Sequence, residues 1–411
     1  MEFAMNNILK LKKPVLWLML FMTALISGLI LPGCDDKDSL DEGDPVVRYV
    51  RITNPDKSDS LVTHAFMGTT VAIIGENLIN VKEVWFNDQK AKLNMAFITH
   101  TSIIVTIPNE IPEEVSNEMT LVTGKNVEVK HPFGVDVPAP FVESMLCEYV
   151  KAGETAVIRG NFFLDDPNIP LEVLFPGNLK GEVLDVTLRE IKVKVPQNVG
   201  VGPIVVKSLY GSTRSTFYFK DDRNILLDFD TKFGAGWRPG KTQGSNPAGI
   251  SGNYVAMRGQ LNGDWDWVED DLAFELWGQA AGRPAGPLFQ GDPENMVMKF
   301  EAYVVNPWSG GWMQLILSPH STNNNSVNSN PTLARGFWRP WETSGGTFKT
   351  DGWITVTVPL ADFKYSHNGS ANNLKLVYPD NCGSLTFFVW GPVPNPCNVF
   401  ICVDNVRIVP R

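Results

Sequence analysis

Gly68-Thr69-Thr70-Val71-Ala72-Ile73-Ile74-Gly75-Glu76-Asn77-Leu78 is echoed 85 residues later by Gly153-Glu154-Thr155-Ala156-Val157-Ile158-Arg159-Gly160-Asn161-Phe162-Phe163. Further on, Ile103-Ile104-Val105-Thr106-Ile107-Pro108 is echoed by Ile191-Lys192-Val193-Lys194-Val195-Pro196. Two markers at nearly one offset define an internal repeat. In each copy, alternation of apolar and polar residues turns one face of a strand inward, and the Gly-Xaa-Asn that follows supplies a turn with positive φ. Each copy therefore reads as a sandwich of short strands.

Working outward, Pro138-Ala139-Pro140 separates the copies and Lys220-Asp221-Asp222-Arg223 closes the second. These signals divide the chain into domains at 46–138, 139–221 and 222–411. Glycine and proline punctuate short, β-branched apolar stretches throughout, and long helical periodicity is absent, so the whole chain is expected to be all-β.

At the N-terminus, Lys10, Lys12 and Lys13 precede an apolar run from Val15 to Leu31 that ends in Leu31-Pro32-Gly33-Cys34. That pattern is a signal peptide, residues 1–33, with a lipoprotein cleavage site that leaves Cys34 to receive the lipid. A membrane anchor helix is the competing reading, since the run approaches the roughly 20 apolar residues that span a bilayer. Asp35-Asp36-Lys37-Asp38 and the acidic residues after it, to about residue 45, are too charged to bury and read as a solvated tether.

The formal net charge is −10; cleavage removes three lysines and one glutamate and makes it −12. This balance argues against a nucleic-acid partner and suits a neutral ligand.

The composition changes after residue 223, where ten of the twelve tryptophans lie. A sandwich core fills well with aliphatic residues and Phe, whereas each indole brings an N–H that needs a partner, so the enrichment points to exposed rings. Flat aromatic plates beside polar groups complement the C–H faces and hydroxyl edges of pyranose rings. One stacked ring contributes on the order of 1 to 2.5 kcal/mol, so a useful site needs two or three.

Three clusters compete for the role. Trp308 and Trp312 flank Ser309-Gly310-Gly311, a turn expected to be too small to bury them. Trp338 and Trp341 alternate with Arg335 and Arg339, whose guanidinium groups can bond sugar hydroxyls. Trp265 and Trp267 would share one face of a strand. The expected platform is Trp308, Trp312, Trp338 and Trp341 with Arg335 and Arg339, and the Trp265/Trp267 pair is the alternative. Trp353 and Trp390 read as core, and Trp237 and Trp277 are ambiguous.

The repeats resemble the immunoglobulin-like IPT/TIG fold, whose hallmark is the Gly-Thr-Xaa-Val-Xaa-Ile-Xaa-Gly-Xaa-Asn-Phe strand and turn. Such domains serve as spacers, dimerisation units and enzyme appendages alike, and spacer is the expected role of both copies. Trp338-Arg339-Pro340-Trp341-Glu342 followed by Thr350-Asp351-Gly352-Trp353-Ile354-Thr355-Val356-Thr357-Val358-Pro359-Leu360-Ala361-Asp362-Phe363 resembles the surface glycan-binding proteins of Bacteroidetes polysaccharide utilisation loci. The resemblance implies two tandem immunoglobulin-like sandwiches followed by a larger jelly-roll-like β-sandwich. It also implies capture of a polysaccharide, first a β-glucan such as xyloglucan or mixed-linkage glucan. A TonB-dependent transporter with its SusD-like protein and a surface glycoside hydrolase would be partners. The acidic segment after Cys34 resembles the export signal that places such lipoproteins on the outer face of the outer membrane.

The five histidines are scattered and no catalytic motif with a nucleophile or metal stands out, so the chain is not expected to be an enzyme. A surface glycosidase would need two facing carboxylates; Glu269, Asp270, Asp271, Glu275, Glu342 and Asp351 qualify by location alone. A protein-binding adhesin is a further alternative. No cofactor is implied; a structural calcium at Asp404 competes with a simple turn-bracing role. A disulfide between Cys382 and Cys397 is allowed outside the cytoplasm, and free buried thiols are the alternative.

Overall fold

The computed structural model describes residues 43–411, apart from 58–59, 113, 167, 284–286, 320–325, 372–374 and 377–381. The expected signal peptide, Cys34 and most of the acidic tether lie outside the described residues. No described helix is long and apolar enough to cross a membrane. The chain forms two compact units that divide between Val137 and Pro138.

The first unit is a sandwich of two four-stranded sheets. In one sheet, Val46–Ile52 and Ser102–Thr106 flank Thr70–Glu76; the other is built around Val81–Phe86 and Glu118–Thr123. The two sequence markers of the repeat are neighbouring strands: Val71 opposes Val105 and Ile73 opposes Ile103. All four side chains lie in the core with Val84, Phe86, Met119 and Leu121. The second copy repeats this, with Ala156 opposite Val193 and Ile158 opposite Ile191.

The repeated glycine also has a steric reason. A Cβ on Gly75 would lie 1.9 Å from the carbonyl oxygen of Val46, and one on Gly160 would lie 1.9 Å from that of Phe141. At both places the partner strand is irregular, between Val47 and Tyr49 and between Val142 and Ser144, and only glycine admits the close approach. The expected positive φ falls two residues after the repeated glycine in both copies, on Asn77 (58°) in the first and on Phe162 (57°) in the second. There Asn161 accepts the Phe162 backbone N–H on its side chain.

The second unit joins the second sandwich to the terminal one. The terminal domain has a long sheet, in which Cys397–Pro410 pairs with Tyr254–Leu261 and Met296–Val304, and Ile354–Pro359 forms an edge. Its short sheet runs Ala273–Trp277, Ser384–Trp390, Trp312–Ser318, Arg335–Trp338. Between them lies a core that includes Phe274, Phe300, Leu315, Phe387, Ile401 and Ile408.

The outer face of the long sheet is closed by the second sandwich. The Thr355 backbone N–H donates to the Leu146 carbonyl at 2.8 Å, and the Glu148 N–H to the Thr355 hydroxyl at 2.7 Å. Beneath these, Lys299 Nζ lies 2.5 Å from Glu148, while Arg407 bonds Glu148 at 2.7 Å and Glu301 at 2.8 Å. All four charges are buried. Burial works against the Arg407 charge, but the adjoining Glu301 and Glu148 outweigh it and raise the guanidinium pKa. Two carboxylates and two cations thus satisfy one another away from water, where an unpaired charge would cost several kcal/mol.

The four described cysteines are free and buried, so the Cys382–Cys397 disulfide is absent. Cys397 points its thiol at the Gly310 carbonyl and Cys382 at that of Ser384. The Asp404 carboxylate accepts from Ser251 Oγ and the Asn405 N–H, each at 2.8 Å. Burial pushes it up to about 8. Through these bonds Asp404, within the strand Cys397–Pro410, holds the Ser251 loop.

Candidate functional site

Strand register decides which tryptophans can meet a ligand. On Trp312–Ser318, Met313, Leu315 and Leu317 enter the core, so Trp312, Gln314 and Ile316 share the outer face of the short sheet. Trp312 opposes Trp390, and Gln314 lies between Phe388 and Phe337. The edge strand brings Glu275 and Trp277 to the same face, because Phe274 and Leu276 point inward. Aromatic side chains therefore run across all four strands.

Trp390 is the hub of this face. Trp265 meets it edge-on at 4.8 Å between centroids, Trp267 at 5.3 Å, and Phe388 stacks beside it at 5.7 Å. His367 lies over it at 6.2 Å, nearly parallel. Trp390 and Trp312 are buried beneath this layer, whereas Trp267 is 45% exposed. Toward the Arg335–Trp338 edge, Phe337 packs on Trp312 and Tyr365 on Phe337. The Arg339 guanidinium rests over all three rings and pairs with Glu342 at 3.1 Å. Glu342 also accepts the Trp312 indole N–H, at 2.8 Å.

At the opposite edge, Trp267 donates its indole N–H to Glu269 at 2.9 Å, and Trp277 donates to Glu275 at 2.8 Å. Arg238 links the two carboxylates, with its guanidinium 2.8 Å from Glu269 and its backbone N–H donating to Glu275 at 2.7 Å. Burial raises the pKa of both glutamates, against the opposing pull of Arg238 and the indoles. Burial, and then Arg335, lower that of His367.

The expected platform is not formed. Trp308 is fully buried and donates its N–H to the Gly310 carbonyl. The glycines thought too small to bury it are what bury it: a Cβ on Gly310 would meet Val393 at 2.8 Å, and one on Gly311 would meet Leu261 at 2.9 Å. Without side chains, the turn sinks into the sandwich. Trp341 is buried by the same turn, donating to the Gly311 carbonyl. Trp338 alternates to the inner face and packs on Phe300 and Trp308. Arg335 is buried, its guanidinium bonded to Gln314 and to the carbonyls of Val327, Asn328 and Asn330. Of the first two clusters, Trp312 and Arg339 reach the aromatic face, Trp312 buried and Arg339 partly exposed.

Trp265 and Trp267 do lie together, but on a turn instead of a strand. Trp265 has φ 61° and donates its backbone N–H to the Gly391 carbonyl, which lays both indoles against Trp390. Trp353 is half-buried and donates to the Ala248 carbonyl. Trp390 is buried as expected, but under the indole layer of the outer face and not in the core between the sheets.

Trp237, left ambiguous by the sequence, is 63% exposed and leans on Trp277. A signal for it was present: Trp237-Arg238-Pro239 repeats Trp338-Arg339-Pro340. The two tripeptides flank opposite edges of the short sheet, and each arginine pairs with a carboxylate.

Residues 219–410 match the family model of the surface glycan-binding protein B xyloglucan binding domain. A crystal structure of the surface glycan-binding protein PbSGBP-B from Prevotella bryantii is 30% identical, with a TM-score of 0.70 over 90% of this chain and 99% of that one. The chain belongs to the surface glycan-binding protein B family. An IPT/TIG domain-containing protein of Bacteroides ovatus is 27% identical over 286 residues, 60% of this chain, and the chain spans about half (53%) of that relative's length. The all-β architecture and the immunoglobulin-like repeats are features this family accounts for, and it places the protein at the cell surface.

Proposed function

We propose that the protein captures a neutral β-glucan, xyloglucan first and mixed-linkage glucan second, and holds it without cleaving it. The observation that carries this reading is the exposed Trp267 ring, set beside Trp265 on the Trp390 hub, within residues matched to a xyloglucan-binding family model. The fixed indoles offer apolar plates, and Arg339 and His367 at the rim offer hydrogen-bonding partners for hydroxyls. Glu269 and Glu275 already accept indole N–H groups and engage Arg238. Their roles are therefore structural supports, in contrast to the facing acid and nucleophile of a glycosidase.

Cys34 would carry the lipid that anchors the protein to the outer membrane. There it would hand polysaccharide to a TonB-dependent transporter with its SusD-like protein, after cuts by a surface hydrolase. Many anchored copies on one polymer would raise the effective affinity.

The test is affinity electrophoresis of residues 35–411 in gels containing xyloglucan, barley β-glucan, laminarin, mannan, xylan or starch, with product analysis of each mixture. Retardation by a β-glucan without released oligosaccharides is the expected result. Released products would restore the hydrolase reading, and migration unchanged by every glycan would favour a protein-binding adhesin.

A further inference from the structure

Trp353, expected in the core, is half-buried on the side of the terminal sandwich away from the aromatic layer. It packs in T-shaped contacts on Tyr254 at 5.2 Å and Tyr303 at 6.0 Å. Both tyrosines belong to the outer face of the long sheet, because their strand neighbours Val255, Ala302 and Val304 enter the core. The indole N–H is already bound to the Ala248 carbonyl, which fixes the ring.

This ring borders a cleft of about 310 Å³ at the seam between the second sandwich and the terminal domain. Val150 and Val157 of the second sandwich and Ile250 of the terminal domain give the cleft an apolar wall. Lys151, Glu154 and Thr155 stand at its exposed rim. Lys151 Nζ crosses the seam and donates to the Gly249 carbonyl at 2.8 Å, and an ammonium carries further N–H donors beyond that bond. One ammonium and one carboxylate cancel in charge, so the rim does not select an ion. It offers donors and acceptors to hydroxyls, beside an indole and an apolar wall that suit the C–H face of a ring. The volume lies at the lower end of small-molecule sites and has room for roughly one or two pyranose rings.

We propose that this cleft is a second saccharide site, which lodges a glycosyl unit from a neutral glycan segment other than the one held on the short sheet. This rests on the glycan reading above. The two sites lie on opposite sides of one sandwich, so a single straight segment cannot occupy both. One molecule therefore holds two segments of a polymer at once. The second sandwich is part of this site, because Lys151, Glu154 and Thr155 come from it.

The test is fluorine NMR of residues 35–411 labelled with fluorotryptophan, titrated with cellotriose and with xyloglucan oligosaccharides. Single Trp→Phe variants, Trp353→Phe among them, assign the resonances. The Trp353 and Trp267 resonances are both expected to move in the wild type. In Trp267→Ala the Trp353 resonance is expected to keep its full movement. Thr155→Arg fills the cleft from an exposed strand position that tolerates the longer side chain. It is expected to abolish the movement of Trp353, to leave that of Trp267 unchanged, and to melt as the wild type does. A Trp353 resonance that stays still while Trp267 moves, that moves equally in Thr155→Arg, or that falls silent in Trp267→Ala would overturn the second site and leave glycan capture standing. No resonance moving, with no retardation by any polymer in the gels, would overturn both.

Discussion

The two sheets of the terminal domain turn outer faces of opposite character to their surroundings. The long sheet presents Lys299, Glu301 and Arg407, and the second sandwich covers them with Glu148, so that every charge finds its counterpart. The short sheet presents Trp312, Phe388, Trp390 and Trp277, and two turns cover these with further indoles whose outer surfaces remain in water. Polar groups closed by a partner domain make a joint. Aromatic groups closed by more aromatic groups make a surface on which another flat ring can still stack. The difference shows why tryptophan content alone does not locate a site: what matters is what lies above each ring.

The largest effect is expected where a predicted plate proved to be core. Trp308→Ala should destabilise the terminal domain by about 3 to 5 kcal/mol, seen in denaturant unfolding; a stable variant that fails to bind would instead return Trp308 to the surface. Next, Glu148→Gln leaves Arg407 and Lys299 with a single carboxylate and should cost about 3 kcal/mol. Calorimetry of this variant should show the second sandwich and the terminal domain unfolding separately, where the wild type is expected to give one transition for the compact unit Pro138–Arg411. An unchanged melting profile would break the joint side of the comparison.

Trp267→Ala should leave the melting temperature nearly unaltered and weaken glycan binding by about 1 to 2.5 kcal/mol; retained affinity would break the surface side. The smallest effect concerns His367. Burial lowers its pKa, so the folded state binds its proton less readily than the unfolded chain does. Its contribution is therefore complete above the unfolded pKa near 6.5 and is lost as pH falls below it. His367→Asn should remove a shallow decline in melting temperature between about pH 7 and pH 5.

The fold was legible because its signals are local and repeated. The strands at Thr70–Glu76 and Ser102–Thr106 announce themselves by alternation, and Gly75 and Gly160 mark a strand contact that excludes a side chain. The candidate site was less so, for a physical reason. The glycines beside Trp308 signal both a flexible exposed turn and a turn able to sink into a core, and only the position of Val393 and Leu261 decides between them. Likewise, Trp338 and Trp237 occupy the same tripeptide, yet one faces inward toward Phe300 and the other toward solvent. Alternation assigns faces only inside a strand, and the turn at Trp265 escapes that rule through its left-handed backbone.

The joint at Glu148 also bears on how such chains can be recombined. A module that travels between genes must be cut where few contacts cross, and the sequence suggests a cut near residue 222. Excising the terminal domain there would strand Glu301, Lys299 and Arg407 without Glu148 and expose the face that Thr355 presents to Leu146. The unit of exchange is therefore expected to begin at Pro138, with the second immunoglobulin-like sandwich inherited as part of the binding domain.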